Sequence, residues 1–306
     1  MVSSSNDFLP GKHISNTITV NPNGKKAFKT IQDAINSVKN NNDKWVKIHI
    51  KAGLYIERPK ILIEKPCIIL QGEGSQNTLV SFSAHNGTND SSTFISSPPN
   101  VIITGITFKN LYTGSQALAA SIYGDKTFIY KCSFMGYQDT LYDANGRHYI
   151  KDCIIEGEID FIFGDGQSYY ENCDIKVIGR NPKVPGYVTA QGRTSSNDLG
   201  GFVFEGGSIG GKGKVNLGRA WRPFARVIFH KTYFDSVVTP QGWVAWTASG
   251  NENRVTYAEV DCKGPGADSS KRVSWMKKLS SSDLKLFSFP VFINNDRWFD
   301  TLPTIS

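Results

Sequence analysis

A parallel β-helix, a solenoid wound from short strands, is the fold that this sequence predicts. Three observations carry the prediction: β-type runs recur at a period of ~20 to 34 residues, several of them share a cysteine at the same place, and long segments of 3.6-residue period are missing. The runs are clearest in Phe128-Ile129-Tyr130-Lys131-Cys132-Ser133-Phe134, Tyr149-Ile150-Lys151-Asp152-Cys153-Ile154-Ile155 and Tyr169-Tyr170-Glu171-Asn172-Cys173-Asp174-Ile175. An aromatic or aliphatic start is followed by polar residues, cysteine and a second apolar stretch. Similar units lie at Val101 to Phe108, Phe202 to Ile209 and Val227 to Phe234. Stacking such units coil on coil, with adjacent strands ~4.8 Å apart, would bury the inward side chains of each on those of the next.

The elements follow in order. A polar lead-in, residues 1–16, is expected to be flexible. Phe28, Ile31, Ala34, Ile35 and Val38 then recur at helical spacing with Gln32, Asp33, Asn36 and Ser37 between them, which predicts one amphipathic helix capping the first coil. Coils run from there to about Phe234. The segment from Lys271 to Trp298, with apolar Val273, Trp275, Leu279, Leu284 and Leu286, is expected to pack along or over the other end. No linker or low-complexity stretch divides the chain, so 1–306 reads as a single domain. The 29 glycines and 12% aromatics suit an all-β chain of short strands and turns.

A net charge of +7 predicts attraction to a polyanion. Lys and Arg are spread along the chain, and no helix-turn-helix, zinc-finger or RNA-binding signature is present, so nucleic acid is not the expected partner. An acidic polysaccharide fits the charge. No apolar stretch approaches the ~18 residues needed to span a bilayer, and the first residues have no hydrophobic signal core. Two N-glycosylation sequons, Asn86-Gly87-Thr88 and Asn89-Asp90-Ser91, point outside the cytosol nonetheless, so a leader is expected to have been removed. Among the five cysteines, Cys67, Cys132, Cys153, Cys173 and Cys262, there is no CxxC pair and no His/Cys cluster, so no metal or other cofactor is expected. An odd count leaves at least one free thiol, and stacked coils would permit either Cys132 with Cys153 or Cys153 with Cys173 to pair. The five histidines lie in unrelated contexts, and there is no Ser-His-Asp arrangement or Gly-x-Ser-x-Gly elbow.

The repeat also singles out a pair of carboxylates. Cys132 to Cys153 is a step of 21 residues, and so is Asp139 to Asp160. The two aspartates therefore occupy equivalent places on consecutive coils, with their carboxylates expected within ~5 to 6 Å. Two carboxylates that close cannot both ionise without cost: one apparent pKa rises, and a nearby cation keeps the other ionised. Such a pair holds one acid and one base or nucleophile near neutral pH. A solvated ladder of stacked aspartates is the competing reading. Phe161-Ile162-Phe163-Gly164 after Asp160, and Tyr137-Gln138 before Asp139, favour a site, because an unpaired charge is costly in apolar company.

From Thr17 to about Trp298 the chain resembles plant-type pectin methylesterases. The resemblance rests on five motifs in the family's order: Gly53-Leu54-Tyr55-Ile56-Glu57, Gln116-Ala117-Leu118-Ala119-Ala120, Gly136-Tyr137-Gln138-Asp139-Thr140-Leu141, Asp160-Phe161-Ile162-Phe163-Gly164 and Leu217-Gly218-Arg219-Ala220-Trp221. It implies a right-handed parallel β-helix, a secreted wall enzyme acting on methyl-esterified homogalacturonan, and a proteinaceous inhibitor as a further partner of an otherwise monomeric chain. It also implies roles: Asp160 as nucleophile, Asp139 as general acid and then base, Gln116 and Gln138 as oxyanion donors, Arg219 as the cation orienting Asp160, and Trp221 lining the sugar cleft. Between the two cysteine pairings it favours Cys153 with Cys173. Leu118 and Ala120 depart from the family's usual Gln-Ala-Val-Ala-Leu, and Ala220 stands where proline is common. These departures bear on loop shape and subsite preference and remove no catalytic side chain. The family's inhibitory pro-region is absent from this sequence.

Further cleft candidates are Trp246, Phe161, Tyr142, Phe94 and Thr93. Trp243 and Trp246 stand three residues apart, so at least one is expected to face outward, and Trp246 is the one assigned to sugar stacking. Two other functions remain open at this level. A β-helical glycosidase or lyase could use carboxylates ~5 to 5.5 Å apart, although no further carboxylate cluster or acidic calcium constellation is present. A catalytically silent wall-binding protein could sit on the same scaffold.

Overall fold

A computed structural model describes residues 11–85, 87, 90–180 and 183–305. The sequons at Asn86 and Asn89 lie outside the described residues. The chain winds through three parallel sheets: a ten-stranded first sheet from Ile14–Val20 to Thr256–Val260, an eight-stranded second sheet from Gly53–Tyr55 to Tyr233–Phe234, and an eight-stranded third sheet from Lys60–Ile61 to Trp243–Val244. Each coil contributes one strand to each in turn, as in Thr127–Tyr130, Ser133–Met135 and Leu141–Asp143. The architecture is the right-handed parallel β-helix expected from the repeat and the motifs.

The cysteine repeat has a backbone cause. Lys131, Asp152, Asn172, Lys231 and Asp261 all adopt left-handed φ of 51 to 54°, and each immediately precedes the residue at the cysteine position: Cys132, Cys153, Cys173, Thr232 and Cys262. One residue in that conformation turns the chain sharply from the first sheet to the second. The following side chain then points inward, where a small apolar thiol fits the corner. The pairing of Cys153 with Cys173 is not formed. Both are free thiols, with Cys153 Sγ donating to Lys151 O at 3.2 Å and Cys173 Sγ to Ile150 O at 3.5 Å, and the two side chains are neighbours that also interact with each other.

Inside, aromatic side chains stack in register. Phe94 lies on Phe108 at 4.5 Å, and Tyr170, Phe204 and Phe229 follow one another at 4.5 Å each. Removing surfaces of ~150 to 250 Å² per ring from water is the main contribution to holding coil on coil. The N-terminal end is closed by the helix Ile31–Ser37, which buries Ile31, Ala34 and Ile35. Its first amides, Ile31 N and Gln32 N, donate to the Glu57 carboxylate at 2.9 and 3.1 Å, and Asp33 N donates to the Thr30 side chain. The lead-in is shorter than expected: Ile14 to Asn16 already belong to the first strand, held by Ser15 Oγ donating to Trp45 O.

The C-terminal segment does both things foreseen for it. Val273, Trp275 and Met276 pack against the end of the coil interior, while Leu279, Leu284, Phe287, Phe289, Phe292, Ile293, Trp298 and Phe299 lie along the outer face of the first sheet on Phe128, Tyr149, Tyr169, Val203 and Ile228. Leu286 is the exception, 59% exposed. With the first sheet covered in this way, its outer face is occupied by the chain itself.

Candidate active site

The connections between the second and third sheets are short on two consecutive coils, 136–140 and 158–161, and each carries one aspartate. The ladder Gln116↔Gln138↔Ile159, followed by Leu141↔Ile162, places Asp139 directly opposite Asp160. Both aspartates adopt left-handed φ, 61° and 49°, a region costly for most non-glycine residues and one Asp tolerates better than most. Asp139 N donates to Ile159 O at 3.0 Å, which fixes one turn on the other. Both side chains reach a cleft of about 270 Å³ lined by Gln116, Gln138, Asp139, Asp160, Phe163, Ala190, Arg219, Trp221 and Trp246.

The two carboxylates differ in company. Arg219, at the end of the strand Val215–Arg219, makes a two-pronged contact with Asp160, Nε to Oδ1 at 2.8 Å and Nη2 to Oδ2 at 2.5 Å. Asp139 has no such partner. Burial, and then the negative charge of Asp160, push the Asp139 carboxyl up to about 7, with Arg219 and a hydrogen bond to Gln138 pulling the other way. Asp160 is also raised by burial, and there the Arg219 hydrogen bond and charge oppose the shift directly. The arrangement can therefore hold Asp160 as the anion and Asp139 as the acid, with the Gln116 and Gln138 amides beside them as donors.

The guanidinium of Arg219 is itself enclosed. Its Cζ lies 4.3 Å from the centre of the Tyr187 ring and 4.0 Å from that of Trp246. An apolar floor continues along the third sheet: Tyr142 stacks on Phe163 at 4.6 Å and 5°, and Phe163 meets Trp221 edge-on at 5.9 Å.

Three cleft candidates turn inward instead. Phe94 and Phe161 are fully buried in the coil interior, and Thr93 is buried with Oγ1 donating to Lys109 O at 3.1 Å. Strand alternation explains Phe94: it shares a column with Ala120, Leu141 and Ile162, all interior, while the outward column is Ile95, Ser121, Tyr142 and Phe163. Trp243 is likewise core, its Nε1 donating to Glu259, and Trp246 is the outward member of the pair at 41% exposed. The site also includes Phe163, Ala190 and Tyr187, which the sequence reading did not assign. Phe163 stands 21 residues after Tyr142, so the repeat itself could have found it; nothing in the repeat marks Tyr187.

A larger hollow of about 620 Å³ lies at the corner of the first and second sheets, beside Tyr130, Lys131 and Asp152. Size does not select it. It holds no carboxylate pair facing amides and an arginine. Among the described residues no group of His, Cys, Asp or Glu is arranged to hold a metal ion.

Comparison with known proteins gives a consistent result. The family model described as Pectinesterase matches residues 17–296. "Putative pectinesterase 10" of Arabidopsis thaliana is 47% identical over 300 residues, covering 95% of this chain and 88% of its own length. "Probable pectinesterase 55" of the same plant is 44% identical over 299 residues, covering 94% and 91%. Among solved structures, the "Pectin methylesterase from Carrot" superposes with a TM-score of 0.90 at 28% identity, covering 96% of this chain and 98% of that one. With a family model over residues 17–296 and relatives 44 to 47% identical over most of its length, the chain belongs to the pectinesterase family.

Proposed function

We propose that the cleft hydrolyses methyl esters on the galacturonate units of pectin, releasing methanol, with Asp160 as nucleophile. One observation carries the reading: the two-pronged Arg219 contact goes to Asp160 alone, while its neighbour Asp139 is pushed up to about 7. Asp160 Oδ attacks the ester carbonyl carbon. The oxyanion that forms is stabilised by the Gln116 and Gln138 amides, and Asp139 gives its proton to the methoxide as the carbon–oxygen bond breaks and methanol leaves. The acyl group is then an anhydride on Asp160. Asp139, now a carboxylate, takes a proton from water, the hydroxide attacks the same carbon, and Asp160 departs as the anion, leaving Asp139 protonated again and the product as a carboxylic acid that loses its proton to solvent.

The test is to follow methanol and polymer length together on highly methylated pectin. An esterase releases methanol at constant length; a glycosidase or lyase shortens the chain; a binding protein does neither.

Charge supports a polyanionic polymer in this cleft. Arg180 lies over the Tyr137 ring at 5.1 Å, and Arg222 over Trp221 at 5.1 Å, both exposed and with neither guanidinium in an ion pair among the described residues; the Arg180 amide donates to Glu158. A guanidinium resting on a ring keeps its donor edges free for a carboxylate. Binding of de-esterified pectin is expected to weaken as the Debye length shrinks to ~8 Å and below. Arg180→Gln and Arg222→Gln should each lower affinity roughly 2- to 5-fold at low salt, with the difference fading at high salt. Isothermal titration at two ionic strengths measures this, and salt-independent binding would place the polymer elsewhere.

The chain is proposed to act as a monomer, and a proteinaceous inhibitor would have to cover the opening of this cleft. Among the described residues no helix is long and apolar enough to cross a membrane. A pectin substrate supports action outside the cell, after secretion.

A further inference from the structure

The position of Arg219 requires an explanation beyond its contact with Asp160. An arginine at the lip of a cleft has a long, mobile side chain, and aiming its fork at one carboxylate costs rotamer freedom. Here two aromatic rings lie within 4.3 Å of its Cζ. Among the described residues these rings make no ring contact with each other, so the guanidinium sits between them. Each ring is anchored separately. Tyr187 belongs to the strand Gly186–Gln191, where its amide donates to Glu158 O at 2.8 Å and its column pairs with Asn216 of the Arg219 strand. Trp246 follows two residues after Val244, the register partner of Arg219, and Thr247 Oγ1 ties that turn back to Ala220 O at 2.9 Å. Trp246 is held at a φ of 47°, a conformation a bulky side chain adopts only when its surroundings impose it. One face of Trp246 is thereby taken up by Arg219 rather than left for a sugar.

The geometry points to Tyr187 and Trp246 as an aromatic clamp that positions Arg219, so that the fork stays on Asp160 and keeps it the ionised member of the pair. This rests on the esterase reading for its consequence in turnover but not for its consequence in titration. The charged and titratable groups facing Asp160 and Arg219 are Asp139 from the neighbouring turn, Tyr187 from its strand and, from the strand behind, Tyr257, whose buried hydroxyl feels Asp160. Of these, only Tyr187 touches the guanidinium face, so replacing it changes the hold on Arg219 while leaving both carboxylates in place. With the clamp gone, the arginine samples other rotamers, the Asp160 anion loses part of its partner, and Asp160 titrates at higher pH.

The experiment is a ¹³C carboxyl NMR titration of Asp160 in the wild type, Tyr187→Leu, Trp246→Leu and Tyr187→Phe, with melting temperature recorded for each. Both leucine variants should raise the Asp160 midpoint by about 0.4 to 1.5 pH units, the range expected for a lost cation–π contact. Tyr187→Phe keeps the ring face and should titrate as the wild type does. In turnover, the leucine variants should lose roughly 2- to 30-fold in kcat with KM little changed, and the acid limb of the pH profile should move up with the midpoint. Trp246 is exposed, so its variant is expected to fold even if Tyr187→Leu does not. An unchanged Asp160 midpoint in the folded leucine variants overturns the clamp, as does a rise in KM at constant kcat and constant pH profile, which would make Trp246 a sugar platform only. If the wild type releases no methanol, the esterase reading fails, and the titration still decides the clamp.

Discussion

Asp160→Asn should release no methanol above background, a loss on the order of 10⁴ or more. The carboxamide has nearly the same shape and keeps an oxygen for the Arg219 fork, but its oxygen is a poor nucleophile and cannot form the anhydride from which the second half of the reaction starts. Folding should survive the change. Burial already works against the Asp160 anion, so a neutral replacement removes a desolvation cost as it removes the ion pair. The melting temperature should therefore move by only a few degrees, which separates a lost nucleophile from a lost fold. Methanol assays at high enzyme concentration and a thermal scan on the same sample measure both. Substantial residual release would transfer the nucleophile to Asp139 and reverse the order of the pair.

The fold and the carboxylate pair were legible for one reason: the repeat transmits position. Once Cys132 and Cys153 mark equivalent corners, every residue a fixed distance beyond them is placed as well, and Asp139 falls opposite Asp160 without knowledge of any side-chain contact. The same arithmetic ties Tyr142 to Phe163. It also carries the alternation of the strands, which places Phe94; Thr93 and Phe161 each stand one residue before a strand begins, in turns that alternation does not reach. In a strand whose outward column is Tyr142 and Phe163, the adjacent Leu141 and Ile162 point inward, and Phe94 stands in their column.

The rest was illegible where the repeat breaks. The connection at 178–185 is longer than those at 136–140 and 158–161, so the 21-residue step no longer locates Tyr187 against Arg219. Trp246 lies beyond the last strand of the third sheet, in a 3₁₀ turn whose geometry comes from its own backbone rather than from a coil below. A cation held between two rings is assembled from three such places, and only coordinates bring them together. The cysteines show the opposite limit. Register puts Cys153 beside Cys173, but neighbouring places on a ladder do not by themselves make a covalent bond, and both remain thiols.

Asp139→Asn should cost between ~10² and 10⁴ in kcat, the range of a positioned general acid, and it should do so while making the protein more stable at neutral to alkaline pH. Both effects have one origin. The Asp139 carboxyl is pushed up to about 7 from an ordinary 3.8, first by burial and then by Asp160. Its acid form, which protonates the leaving methoxide, is therefore present below pH 7 and lost above it, so the wild-type profile should fall on its alkaline side near that value, while its acid side reports ionisation of Asp160. For stability the sign follows from linkage: the folded-state value lies above the unfolded one. The protonated group thus sits in the folded protein without penalty below about pH 4, and the penalty grows as pH rises from there to 7 and then levels off. A shift of about three units corresponds to roughly 2 to 4 kcal/mol, with allowance for partial solvent access. Asparagine carries no charge to bury and escapes that penalty. Urea unfolding of the two proteins at pH 4 and pH 8 should give similar midpoints at the lower pH and a higher midpoint for Asp139→Asn at the upper one. Equal midpoints at both pH values would mean that Asp139 ionises in the folded protein as easily as in the unfolded chain, and it could then serve as a base but not as the acid that expels methanol.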